Sequence, residues 1–168
     1  GVGNFLKSPT IKVSDGSYET IIRKGVSEFL DTYGNLNYSN GTCAKLAIYC
    51  GRIDNLEENI YPIVAELISK FSLNSADTIL KYHGGNKEYS VPESAAVEFA
   101  SLDTYLSKVK VVLLAQIGKE GWDCKSLTSV ILPQKGACPQ NMVLQTSCRC
   151  LRQVVKNNKE TALIWLNE

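Results

Sequence analysis

The feature of this sequence that most constrains its fold is a set of short, unbroken apolar runs separated by segments with a helical pattern. Three of these runs are residues 45–50 (KLAIYC), 110–115 (KVVLLA) and 161–166 (TALIWL). Runs of this length without polar alternation are typical of strands that are buried on both faces of a parallel sheet. The sequence therefore predicts an α/β domain with a mostly parallel sheet and helices on its faces.

Two further strands and three helices complete this pattern. Strands are predicted at residues 78–82 and 128–132, and helices at 54–71, 92–106 and from Pro139 to about residue 154. Two of the helix starts have a capping-box spacing, Asp54 with Glu57 and Ser90 with Glu93. The order of elements favours strands joined by helical crossovers.

Residues 1–44 have a different character, with clusters of Gly, Ser, Asn and Asp around one segment of helical spacing near residues 17–33. We predict an N-terminal extension or linker with one helix here, and a single domain over residues 45–168. The chain starts with Gly1, and its only methionine is Met142. We therefore expect it to be part of a longer protein.

Composition excludes several classes of protein. Of the 168 residues, 44% are hydrophobic and 21% are charged, which fits a globular domain and excludes a disordered or collagen-like chain. No apolar run approaches the roughly 18 residues of a membrane span. The six cysteines include no Cys-x-x-Cys pair, so we expect reduced thiols, no metal site, no membrane partner and a cytoplasmic location.

The helix predicted from Pro139 carries a polar stripe of Gln145, Arg149 and Arg152, spaced i, i+4 and i+7. A guanidinium is a planar, permanently charged group that suits phosphate oxygens. Taken alone, such a stripe is more often a solvated helix face.

The loop at residues 118–123 (GKEGWD) follows a predicted strand and combines glycine flexibility with the carboxylate of Asp123. Trp122 is expected to pack this loop onto the domain. Taken alone, Gly-Trp-Asp is a weak signal that fits a plain strand-to-strand loop better than a functional site.

In order along the chain, these segments resemble the second RecA-like lobe of superfamily 2 helicases and translocases over most of residues 45–168. KLAIYCGRIDN resembles the fourth motif region and KYHGG the strand that ends in His-Gly. KVVLLAQIGKEGWD resembles the fifth motif, and QTSCRCLR resembles the sixth, Gln-x-x-Gly-Arg-x-x-Arg. The Glu-Gly-Trp-Asp form is most similar to the ATP-driven (res) subunits of type III restriction enzymes.

This resemblance implies a three-layer RecA-like (P-loop NTPase-like) fold and assigns roles to five residues. Arg149 and Arg152 would be catalytic arginine fingers that complete an ATP site. Gln145 would order the same surface, and Gly121 and Asp123 would approach the nucleotide across a cleft between two lobes.

The sequence departs from the family pattern at two places. Cys148 stands where the sixth motif usually has glycine, and Ala115 and Gln116 stand where many relatives have a phosphate-contacting threonine. We therefore assign no nucleic-acid contact to the fifth-motif loop. His83, the only histidine, is expected to be structural or peripheral, and Trp165 is expected to pack in the core.

The sequence also contains no Gly-x-x-x-x-Gly-Lys-[Ser/Thr] loop and no adjacent Asp-Glu pair. By the resemblance, ATP and Mg²⁺ are held mainly by an N-terminal RecA-like lobe of the same parent chain. We do not expect this chain alone to hydrolyse ATP.

The leading hypothesis is the C-terminal motor lobe of an ATP-dependent DNA translocase or helicase, the restriction subunit of a type III restriction-modification system. Duplex DNA and a methyltransferase that supplies sequence specificity are its expected partners. The alternative is a non-catalytic module that binds nucleic acid or protein on a RecA-like scaffold. A standalone α/β enzyme is disfavoured, because the sequence shows no nucleophile-base or metal constellation.

Overall fold

In the computed structural model, which describes residues 8–14, 16–116, 124–133 and 161–167, six strands form one sheet in the order β1-β6-β5-β2-β4-β3. Every pairing between neighbouring strands is parallel, which confirms the predicted sheet type. The strands are β1 (Ser8–Ser14), β2 (Lys45–Gly51), β3 (Ile79–Tyr82), β4 (Val111–Ala115), β5 (Leu127–Leu132) and β6 (Thr161–Asn167).

Helices cover both faces of this sheet. In the described residues they are α1 (Tyr18–Tyr33), α2 (Ile53–Asn55), a π-helical turn (Leu56–Ile60), α3 (Tyr61–Lys70), α4 (Ser75–Thr78) and α5 (Ala95–Ala100). The segment from α2 through the π turn to α3 is continuous and fills the helix predicted for residues 54–71. Ser17 caps α1, because its Oγ accepts a hydrogen bond from the Thr20 amide at 3.3 Å.

Alternate residues of the central strand β2 contribute to two separate hydrophobic cores. Leu46 and Ile48 pack under α1 and α3, whereas Ala47 packs on the opposite face with Ala95 of α5. Burial on both faces explains why the strand sequence shows no polar alternation. The predicted strands at 45–50, 78–82, 110–115, 128–132 and 161–166 are all confirmed.

Strand β1 was not predicted from the sequence. It lies at the edge of the sheet and pairs only with β6, for example Thr10 with Leu163. An edge strand can keep exposed side chains, and Val13 is among the exposed large apolar residues, so β1 lacks the apolar run that identified the other strands. β1 and α1 share the sheet and core of the later elements; a domain division near residue 44 stays a prediction.

The capping boxes predicted at two helices are wrong. Arg52, with no capping side chain, precedes the helix after β2, and Glu57 reaches β3 instead of the helix start. The helix predicted for residues 92–106 is only Ala95–Ala100, because Ser94 has a left-handed φ of 62° and the chain turns after Ala100.

Some of the remaining predictions concern residues that the structure describes, and the others concern residues outside them. Trp165 and the thiols of Cys43, Cys50 and Cys124 are buried, and the three cysteines are free. Among the described residues, no helix is long and apolar enough to cross a membrane. The predicted loop 118–123, the helix predicted from Pro139 and the cysteines at 138, 148 and 150 lie outside the described residues.

We expect Gly25→Ala to destabilise the fold, because α1 crosses β5 and β6 closely at this glycine. A Cβ on Gly25 would lie 2.5 Å from Cδ1 and 2.9 Å from Cγ1 of the buried Ile131. Overpacking should lower the free energy of unfolding by about 1–3 kcal/mol, despite the better helix propensity of alanine. Urea unfolding measures this, with the exposed neighbour Lys24→Ala as control; equal midpoints for both variants would contradict the prediction.

Candidate functional site

The carboxyl ends of β2, β4 and β3 lie side by side and form one edge of the sheet. In open parallel sheets, ligands bind beyond this edge, where the loops after the strands converge. Three loops leave the edge here, beginning at Gly51, His83 and Gln116. The candidate site therefore consists of side chains on these loops and on the helix that follows β2.

A bulge at the end of β2 shapes the first loop. Tyr49 pairs with Leu114 and Gly51 pairs with Ala115, so Cys50 is an extra residue on the β2 side. Gly51 has a φ of 77°, a conformation that glycine adopts without strain. Its carbonyl oxygen accepts a hydrogen bond from the Gln116 amide at 2.9 Å, which ties the ends of β2 and β4 together.

The helix after β2 is fixed to that strand by two amide side chains. Nδ2 of Asn55 donates to the Cys50 carbonyl oxygen at 2.9 Å, and Nδ2 of Asn59 donates to Oδ1 of Asn55 at 2.9 Å. This chain of hydrogen bonds runs from the strand end along one side of the helix. It orients the amide of Asn59, whose oxygen and second N–H have no hydrogen-bond partner among the described residues.

An open polar groove of about 500 Å³ lies beside this helix start. Its lining residues are Cys50, Arg52, Asp54, Asn55, Glu58 and Asn59. The Arg52 side chain is 78% exposed, and its Nε donates to Oδ1 of Asp54 at 3.1 Å, the one side-chain hydrogen bond it makes to a described residue. The terminal nitrogens of Arg52 and the Asn59 amide give the groove donors that suit a phosphate or another polar ligand.

The widened π turn beside the groove has a local cause in the sequence. Pro62 has no N–H, and its ring would clash with the carbonyl group four residues earlier in an α-helix. In the structure, the Tyr61 amide donates to the Leu56 carbonyl, a π-type bond, directly before this proline. Such turns occur frequently at functional sites. Here the turn carries Glu57, Glu58 and Asn59.

Glu57 links the helix to β3 through two hydrogen bonds. Nζ of Lys81 donates to its Oε1 at 2.7 Å, and Nε2 of His83 lies 2.9 Å from its Oε2. The Glu57 side chain is only 11% exposed and that of His83 is fully buried. We call Glu57, Lys81 and His83 the acidic bridge, because one carboxylate joins Lys81 of β3 and His83, the residue after the end of β3.

The protonation pattern of His83 follows from its neighbours. The Gly85 amide donates to Nδ1 of His83 at 3.0 Å, so Nδ1 is an acceptor. Nε2 therefore carries the ring hydrogen and donates it in the hydrogen bond to Oε2 of Glu57. The acidic bridge therefore fixes the ring and, through Gly85, the start of the loop after β3. The expected structural role of His83 agrees with this arrangement.

The pKa values of two residues beside the groove reflect the same contacts. Burial raises the pKa of Glu57, but the hydrogen bonds from Lys81 and His83 outweigh it and hold the pKa below its usual range. Burial and a hydrogen bond to Glu58 raise the pKa of Tyr89 in the loop after β3. An ionised, nearly buried carboxylate and a protonated phenol thus lie beside the groove, although neither residue lines it.

The five site residues predicted from the sequence, Gly121, Asp123, Gln145, Arg149 and Arg152, lie outside the described residues. The structure neither brings them together nor separates them. Sequence reasoning did not find the acidic bridge. Two of its three residues could have been grouped from the sequence, because Lys81 and His83 are two residues apart in an extended segment and so share one face. Glu57 gave no signal, because its partners lie more than 20 residues away.

Comparisons with known proteins agree with the fold. No protein-family model matches the sequence, and no curated protein matches it. Among solved structures, "Mss116p DEAD-box helicase domain 2 bound to an RNA duplex" matches with a TM-score of 0.60 and 11% identity. "ATP-dependent Type ISP restriction-modification enzyme LlaBIII bound to DNA" matches with a TM-score of 0.50 and 15% identity.

These matches extend along almost the whole chain, 95% and 96% of it. The chain spans about half (54%) of the first matched structure and 12% of the second. At these identities the likeness concerns the fold. The chain therefore has the RecA-like α/β fold found in helicase domains, as the sequence predicted.

We expect Glu57→Gln to destabilise the protein near neutral pH, because the amide removes the charge that Lys81 and His83 share. The loss should be about 1–3 kcal/mol, the usual cost of leaving buried donors poorly paired. Because folding lowers the Glu57 pKa, its stabilisation is present above the ordinary value of 4.5 and disappears as the pH falls through the folded value.

Denaturant unfolding of wild type and Glu57→Gln at a series of pH values measures this effect. The exposed Glu93→Gln is the matched control, with an expected change within about 0.5 kcal/mol. A difference between wild type and Glu57→Gln that stays constant from neutral to acid pH would show that the charge of Glu57 is not the cause.

Proposed function

We propose that this chain is the second motor lobe of an ATP-dependent nucleic-acid translocase or helicase. The observation that carries the proposal is the RecA-like sheet, whose six parallel strands match a helicase domain along 95% of the chain. The segments that resemble the fourth motif region, the strand that ends in His-Gly and the fifth motif lie partly on β2, β3 and β4, and the segment that resembles the sixth motif follows in the sequence. Fold alone does not define function, so the motifs supply the second half of the argument.

Within this class, we propose the restriction subunit of a type III restriction-modification system, with duplex DNA as the track. Two observations support the finer assignment. The sequence contains the Glu-Gly-Trp-Asp form at residues 120–123, and the fold is similar to part of a restriction-modification enzyme whose structure contains DNA. A methyltransferase partner and a cytoplasmic location belong to this proposal.

Arg149 and Arg152 are proposed to act on ATP held mainly by a first lobe of the same protein, together with Mg²⁺. Because β5 and β6 are parallel neighbours, they require a crossover of the kind that a helix usually makes. This requirement supports the helix predicted between them. When the lobes close, the two guanidiniums stabilise the charge that develops on the transferring phosphoryl group, with Gln145, Gly121 and Asp123 at the same cleft.

The groove after β2 is proposed to contact the nucleic-acid backbone. The terminal nitrogens of Arg52, at the carboxyl edge of the sheet, bond to no described residue, and the Asn59 amide is held in place by Asn55. The acidic bridge fixes the neighbouring loop without facing the ligand, because Glu57 and His83 are turned toward the protein interior. Opening and closing of the lobes during ATP turnover would then move the bound backbone.

We expect Arg152→Ala in the intact protein to reduce nucleic-acid-stimulated ATP hydrolysis by about 10³-fold or more, the usual effect of removing an arginine finger. Phosphate release is measured with duplex DNA, single-stranded DNA and RNA as separate stimulants. Arg23→Ala, which removes an exposed arginine of α1, is the matched control and should keep wild-type turnover.

Wild-type turnover in both Arg152→Ala and Arg149→Ala would overturn the arginine-finger assignment. In that case the non-catalytic binding module would become the better description of the chain. Stimulation by RNA alone would refute the restriction assignment and leave the motor assignment intact.

We expect Arg52→Ala to weaken nucleic-acid binding to a similar degree for all sequences, because a phosphate contact carries no base information. The slope of log affinity against log salt concentration should fall in magnitude by about 1, the value for one phosphate contact. Fluorescence anisotropy at several salt concentrations measures both effects, again with Arg23→Ala as control. An unchanged slope would exclude the groove from the interface.

A further inference from the structure

Lys45, the first residue of the central strand β2, has no side-chain exposure to solvent. Lysine is rarely buried fully unless it is paired with an acid. In the part of the chain that the structure describes, no carboxylate forms an ion pair with it. Its Nζ contacts the sulfur of Cys43 at 3.0 Å instead. The motor function proposed above uses neither residue.

Local geometry explains why the two side chains meet. Cys43 and Lys45 are two residues apart in extended chain, so they point to the same face. The backbone is held there by the Lys45 amide, which donates to the Ser126 carbonyl at 2.9 Å. The pair lies at the amino edge of the sheet, the edge opposite to the groove.

The environment arranges the amine and the sulfur for reaction with each other. The Cys43 thiol donates to the Val109 carbonyl oxygen at 3.2 Å, which leaves the sulfur lone pairs for the Lys45 side. Burial lowers the pKa of Lys45, so the neutral, nucleophilic amine costs less here than in water. The side chains of Cys43 and Lys45 are both buried, so large polar reagents do not reach them in the folded protein.

We propose that Cys43 and Lys45 are a modification site, at which dioxygen joins the two side chains through a single oxygen atom in a covalent N–O–S link. One N–H bond of the lysine, the S–H bond of the cysteine and the O–O bond break. An N–O bond and an O–S bond form, and the second oxygen atom leaves as water with the two hydrogens. Nitrogen and sulfur each lose two electrons, and dioxygen accepts all four.

Two features of the site favour this chemistry over ordinary thiol oxidation. Dioxygen is small and apolar, so it enters packed protein more readily than charged or polar oxidants. The contact distance is close to what one bridging oxygen requires, so the strand need not move far. The link would fasten the start of β2, which pairs with β5 on one side and β4 on the other.

Peptide mapping of the intact protein tests the proposal independently of its motor function. Protein incubated in air or without oxygen is alkylated and digested with trypsin. Cleavage after Lys24, Lys45 and Arg52 gives separate peptides 25–45 and 46–52. The link blocks cleavage at Lys45, so air should produce peptide 25–52 with one oxygen more, two hydrogens fewer and only Cys50 alkylated. A thiol reductant should restore the two separate peptides.

The other oxidation products are distinguishable by mass and would overturn the proposal. A disulfide between Cys43 and Cys50 removes two hydrogens without adding oxygen, and a sulfenic or sulfinic acid on Cys43 leaves cleavage at Lys45 intact. Complete cleavage at Lys45 with both cysteines alkylated after exposure to air would also refute it.

Variants provide the matched controls. Cys43→Ser and Lys45→Met should each lose the oxygen-containing product, whereas Cys50→Ser should retain it. Cys50 donates to the Ile48 carbonyl oxygen at 3.5 Å and, among the described residues, bonds to no side-chain amine. If a variant does not fold, the fragmentation spectrum of the wild-type peptide decides alone. The spectrum must assign the added oxygen to a cross-link between the side chains of Cys43 and Lys45.

Discussion

The structure depends on one constraint, that parallel strands can be joined only by crossovers that lie on the faces of the sheet. Every pairing between neighbouring strands of the described sheet is parallel, so helices cover both faces and the strands that are buried on both faces are largely apolar. The same constraint brings the carboxyl ends of β2, β3 and β4 to one edge. The groove exists there because the chain must turn from β2 into its crossover helix at that point.

The turn from β2 into the helix is stabilised more by specific polar contacts than by helix capping. Arg52 supplies no capping side chain, and the helix start is instead fixed by the Asn55 amide on the Cys50 carbonyl. One turn later, Glu57 joins the helix to β3 in a nearly buried position. A carboxylate at this depth is stable because Lys81 and His83 satisfy both of its oxygens. The helix is therefore tied to β2 by Asn55, which also accepts a hydrogen bond from Asn59, and to β3 by Glu57.

How much of this could be predicted from the sequence depends on how local each signal is. The strands containing Ile48, Leu113 and Ile164 were predicted correctly, because burial on both faces leaves a continuous apolar run in the sequence. β1 could not be found in this way, since an edge strand with exposed residues such as Val13 lacks that run. Helix α5 was predicted too long, because periodicity does not register the left-handed backbone at Ser94.

The candidate site was less predictable than the fold for a related reason. The acidic bridge joins residues from two elements that are distant in sequence, and only the sheet order brings them together. The polar stripe of Gln145, Arg149 and Arg152 is the opposite case, because its spacing lies within one predicted helix and can be recognised from local sequence. Its proposed role depends on a second lobe, so no geometry internal to this chain can define the ATP site.

The residues at the two ends of β2 differ in their exposure to solvent. At the carboxyl edge, Arg52 and Asn59 are exposed and meet solvent, as an interface for a large ligand requires. At the amino edge, Cys43 and Lys45 are sealed from solvent and interact with each other. β2 has hydrogen-bonded strands on both sides, so a covalent link at its start would rigidify the strand whose other end supports the groove.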